Sequence, residues 1–135
     1  MLFRSLGLSV LLGVLVFWRY VGSQSKIADA YYEIEARGAD LTTEGCVDEV
    51  LRWREGCEAM KGLCDMTVNS MMEACLSAGD RSAFCAEHIG EMGTTHFGYE
   101  ECEGRDLDRQ GTNICASAYR VIDHHCRALT LEPNS

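Results

Sequence analysis

The feature that most constrains this chain is the spacing of four cysteines in "CVDEVLRWREGCEAMKGLCDMTVNSMMEAC". Cys46, Cys57, Cys64 and Cys75 stand 11, 7 and 11 positions apart. An α-helix turns about 100° per residue, so a step of 11 returns to within about 20° of its starting face. A step of seven falls about 20° short of two turns. The four thiols therefore share one helical stripe with Val50, Trp53, Met60 and Met71, and such a stripe faces a core. Within one straight helix none of these pairs can bond. Steps of 11 and seven span about 16 and 10 Å, beyond the roughly 7 Å that a disulfide allows between Cα atoms.

Lys61-Gly62-Leu63 reads as a glycine C-cap followed by an apolar contact. If the helix breaks there, its halves fold back as a hairpin. Cys57 and Cys64 then flank the turn, and Cys46 meets Cys75 at the open end. The alternative is one continuous helix whose cysteines bond to other helices; the stop signal favours the hairpin. The remaining cysteines are Cys85, Cys102, Cys115 and Cys126, and the last two repeat the step of 11. Pairing Cys85 with Cys126 and Cys102 with Cys115 would fasten a terminal helix and pin the chain between them. Cross-pairing of Cys46 and Cys57 with Cys126 and Cys115 is geometrically as sensible, among about a hundred connectivities open to eight cysteines. The even count, with Pro133 as the single proline, fits a disulfide framework in an oxidising compartment.

The pair of Cys-x10-Cys helices across residues 46–75 resembles the twin Cys-x9-Cys, coiled-coil-helix-coiled-coil-helix proteins of the mitochondrial intermembrane space. Here ten residues separate the cysteines of each helix and six separate the two helices. The resemblance implies small structural subunits and assembly factors of respiratory complexes. Some members of that family carry copper on adjacent cysteines, a pattern this chain lacks.

"MLFRSLGLSVLLGVLVFWRY" is the dominant apolar stretch, with 14 uncharged residues between Arg4 and Arg19. Fourteen suits a signal-peptide core, whereas Leu2 to Val21 would make about 30 Å of helix, enough for a bilayer core. Trp18 and Tyr20 suit an interfacial belt. Residues 1–22 are thus a signal anchor or signal peptide. Cleavage signals at Val21-Gly22-Ser23 and Ala28-Asp29-Ala30 are weak. Lys and Arg counts leave the orientation open, and the cysteines place the carboxyl-terminal part outside the reducing cytosol.

Residues 23–42 read as a polar, partly helical stalk, and 43–132 as the cysteine-rich domain. Thr42 or Thr43 caps its first helix, and Asp65 or Thr67 a second that ends at Gly79. Asp80 opens a third, closed by Gly93, and Thr112 or Asn113 caps the last. Residues 94–111 carry three glycines and no helical period, and read as a long loop. The fold class is all-α, with about four helices beyond the amino-terminal one.

All 21 acidic residues follow position 28, against nine Lys and Arg in residues 27–135. That balance argues against nucleic acid, which needs a basic stripe, and against docking on anionic lipid. No Gly-rich phosphate loop, Gly-x-Ser-x-Gly elbow, His-Glu-x2-His or Cys-x2-Cys motif occurs. The expectation is therefore no catalytic residue, no cofactor and no enzymatic activity. The sharpest chemical alternative is copper or zinc handling by Cys85, His88, His124, His125 and Cys126, with thioethers nearby. His96, Phe97 and Tyr99 are the best candidates for partner contact, being rings in a cystine-pinned loop. The expected role is a membrane-anchored accessory subunit or scaffold that contacts other membrane-protein subunits. It would face the bacterial periplasm or exterior, or the mitochondrial intermembrane space. The further alternative is a secreted binding domain released from its leader.

Overall fold

The computed structural model describes the backbone of residues 2–131 and the side chains from Ser5 to Leu131. It is all-helical, with six helices and no strand among the described residues. α1 runs Leu2–Gly38, α2 Thr43–Glu55, α3 Lys61–Ser77, α4 Ser82–His88, α5 Tyr99–Glu103 and α6 Arg109–Leu131. α3 lies at the centre, packed by α1, α2 and α6. Around it Val47, Val50, Val68, Met71, Met72, Leu76 and Ile122 are fully buried.

The cysteine spacing is resolved as the hairpin. Cys46 bonds Cys75 and Cys57 bonds Cys64, with Cα atoms 5.8 and 6.3 Å apart. α2 and α3 are thus antiparallel and clamped at both ends. Cys85–Cys126 ties α4 to α6, and Cys102–Cys115 ties α5 to the same helix. All four half-cystines of the second set lie in the same core as Cys46 and Cys75.

The turn of the hairpin is earlier than expected. α2 stops at Glu55 with Gly56 as its cap, so Lys61-Gly62-Leu63 opens α3 instead of closing α2. The reason is the short cystine. Only seven positions separate Cys57 from Cys64, and the chain must leave the helix at once to bring them together. Accordingly neither Asp65 nor Thr67 caps α3; Met60 is its N-cap, and the Thr67 hydroxyl donates back to the Leu63 carbonyl at 2.7 Å. Thr42 does cap α2, its hydroxyl accepting from the Gly45 N–H at 3.0 Å.

Three further boundaries differ, the first being the end of α4, which stops at His88 and not at Gly93. The expected loop at 94–111 contains α5. Gly98 enters it with φ of 85°, which an L side chain rarely adopts. A Cβ there would lie 2.2 Å from that of Tyr119. The Glu101 carboxylate accepts from the Gly98 N–H at 2.9 Å, closing the turn. α6 starts at Arg109, ahead of Thr112 and Asn113, because the Asp108 carboxylate accepts from the Gly111 N–H at 2.6 Å.

Residues 23–38, read as a stalk, are the second half of α1 and lie against α3. Ser23, Ile27, Ile34 and Gly38 are buried, at the three- to four-residue rhythm of a packed helix face. The two helices run in the same direction. The Met60 N–H at the start of α3 donates to Ser23 Oγ at 3.3 Å, and Gly38 lies over Cys75 at the far end. There a Cβ would stand 2.6 Å from the Cys75 carbonyl oxygen and 2.9 Å from Ala78 Cβ. Only glycine permits that approach.

Candidate functional site

α1 has two environments on one continuous axis. From Leu6 to Val21 its leucines, valines, Phe17 and Trp18 are all exposed, whereas Ile34 is 1% exposed. This is the only helix among those described that is long and apolar enough to cross a membrane, by length and composition. With 37 residues it is about 55 Å long, and its bare part accounts for nearly half.

The bare part ends where the hairpin turn meets α1. Lys26 Nζ pairs with Glu58 at 2.8 Å, one turn of helix beyond the Ser23–Met60 hydrogen bond. Arg19, Ser23, Lys26 and Met60 line one hollow at this junction. Trp18 and Tyr20 stand beside it, exposed, at the height where the apolar run gives way to polar residues. On the other side of the turn Arg54 pairs with Asp65 at 2.6 Å, both largely buried.

The opposite end of the covered half is held by a buried arginine. Arg81 Nη2 donates to the Gly38 carbonyl at 2.6 Å and the Cys75 carbonyl at 3.1 Å, and Nη1 donates to Leu41 at 2.5 Å. Nε reaches the Leu76 carbonyl at 3.3 Å. One guanidinium thus serves the carboxyl-terminal carbonyls of both α1 and α3, which carry the negative ends of two parallel helix dipoles. Burial pulls its pKa below the ordinary arginine value, with Asp80 pulling weakly the other way. No feature of the sequence around Arg81 marks it as buried; only the helix ends that converge on it do.

Of the residues singled out for chemistry, the two cysteines follow the disulfide pairing offered above. Cys85 and Cys126 are bonded to each other, so neither offers a thiolate to a metal, and the copper or zinc reading loses its softest ligands. His88 stacks on Phe84 with ring centres 4.3 Å apart, and its Nδ1 faces Glu91 at 3.3 Å. His124 is exposed, while His125 is half-buried and its pKa is lowered mainly by that burial. Among the described residues no three His, Cys, Asp or Glu side chains converge as a metal site. Met71 and Met72 are completely buried packing residues.

In the α4–α5 connection Phe97 turns inward. Its ring meets Tyr119 edge to face at 5.7 Å, leaving His96 and Tyr99 exposed. A mainly apolar hollow lies elsewhere, over the Cys85–Cys126 bridge between Ile89, Met92 and Thr130. No family model, curated protein or solved structure matches this chain.

Proposed function

We propose that this protein is a non-enzymatic, membrane-anchored helical subunit or scaffold of a membrane complex, with its cystine-braced domain in an oxidising compartment. The observation that carries the reading is the continuity of α1. A bare apolar helix passes without a break into the core of a domain that holds all eight cysteines as disulfides. Exposed apolar surface of that extent is unfavourable in water and favourable in lipid or against other membrane helices. The nested clamping of α2 and α3 fits the likeness to the twin-cysteine hairpin proteins and, with it, a structural role. An oxidising compartment and a single apolar amino-terminal helix are compatible with either a single-pass or a signal-type protein.

The secreted alternative has a structural cost that depends on the cut. Cleavage after Ala30 would strip Ser23 and Ile27 from the core, whereas cleavage after Ser23 would leave Ile27 and Ile34 in place.

The test is an intact mass, with alkylation before and after reduction, on protein taken from native membranes in mild detergent, followed by native electrophoresis. The reading requires a retained amino-terminal helix, no free thiol, and migration in an assembly larger than the chain. A truncated, freely soluble species would make this a secreted domain. A full-length chain that migrates alone would remove the subunit role and keep the anchor. Free thiols with retained metal would revive metal handling.

A further inference from the structure

We infer that the bridged α2–α3 turn, residues 56–61, rests in the headgroup layer of a zwitterionic phospholipid bilayer, so that the domain stands directly on the membrane with no spacer. The inference rests on the anchored reading of α1 and adds the posture of the domain. Three observations meet at one height. The first is geometric: the Met60–Ser23 hydrogen bond and the Lys26–Glu58 pair hold the turn against α1 immediately after the bare segment. A membrane that covers α1 up to Trp18 therefore brings its headgroups to the turn.

The second is the character of the tip. Met60 is 48% exposed on a loop whose neighbour Ala59 packs on the core. Trp18 and Tyr20, both exposed, encircle α1 at the same level. Aromatic rings and a flexible thioether suit the boundary between headgroups and acyl chains.

The third is charge. The chain carries 21 carboxylates against 12 Lys and Arg. Around the turn the two signs are interspersed, with Arg19, Lys26 and Lys61 among Asp29, Glu55, Glu58 and Asp108, beside the Arg54–Asp65 pair. Interspersed charges of both signs match a zwitterionic headgroup layer, which carries no net charge to repel them.

The methionines supply a test that is read on the wild-type chain. The full-length oxidised protein, carrying 13C in its methionine methyl groups, is placed in phosphatidylcholine nanodiscs with and without a lipid bearing a headgroup nitroxide. Met60→Leu assigns the key signal. The expected result is loss of the Met60 signal, weaker broadening of Met66 farther along α3, and an unchanged Met92 beyond the Cys126 end of α6. If the chain co-purifies with the discs but Met60 stays sharp, the turn does not touch lipid, and the posture is overturned while the anchor stands. Equal broadening of all three would also overturn it, because the domain would have no fixed orientation. Failure to co-purify with the discs would remove the anchor and the inference together.

Discussion

The two halves of α1 have the same backbone and opposite surroundings. Between Ser5 and Val21 the apolar side chains point in every direction and nothing covers them. Between Ser23 and Gly38 apolar residues occupy one face, and α3 covers that face. An all-round apolar helix requires an apolar solvent; a one-faced helix requires one neighbour. One continuous element thus carries an all-round apolar surface along one half and a one-faced packing surface along the other. What changes along it is only the angular spread of its apolar residues.

The largest effect is expected from breaking the bare half. Leu12→Arg with Leu15→Arg places two charges at the middle of the apolar run, costing about 3 kcal/mol each against insertion. The variant should leave the membrane pellet on alkaline extraction, and its purified domain should melt as before. Loss of domain folding instead would mean that the two halves are not independent.

Next comes the far end of the covered half. Arg81→Met removes the donors from four carbonyls and should cost about 4 kcal/mol in a urea melt of the oxidised protein. Arg81→Lys should recover part of that loss, since an ammonium keeps the charge but not the planar fork.

The contact between the halves of the fold is sharpened by Ile34→Ala, expected to cost about 3 kcal/mol by the same melt. Leu8→Ala, in the bare half, should not change the melt of the domain. Similar losses at both positions would contradict the division.

The smallest effect concerns acid. His125 is held below its ordinary value of 6.5 by burial, with Arg81 and His124 adding to the shift and Glu73 opposing it. The folded state thus prefers the neutral ring. Its contribution is complete above pH 6.5 and is lost as the pH falls from there through the lowered folded value. Urea midpoints at pH 7.5 and 5.0 should therefore differ more in the wild-type chain than in His125→Gln.

The cysteine rhythm made the hairpin legible, because spacing and bond length together leave few ways to join helices. The break at Gly62 misled, since a glycine reads as a stop unless the short cystine beside it is known to pull the turn back to Gly56. The covered half of α1 was partly legible in Ile27 and Ile34. Asp29, Glu33 and Glu35 fill its outer face and give the segment a polar average. α5 was hidden by its five-residue length, and Arg81 by the fact that its acceptors are carbonyls, which no sequence displays. Of the candidate site, the apolar helix was evident, whereas the inward turn of Phe97 depended on Tyr119, which lies in another helix.

The disulfides also determine how the molecule answers a pull. None crosses the segment between Cys75 and Cys85; two lie before it and two after. A load applied along α1 and resisted near Cys126 would follow the bridges and bypass residues 46–75 and 85–126. Only about a third of the contour between Ser23 and Cys126 could then pay out. The first slack to be drawn is the segment around Arg81, whose carbonyl contacts act as the latch. A chain loaded in this way would stretch briefly there and then stop, as a strap does at its buckle.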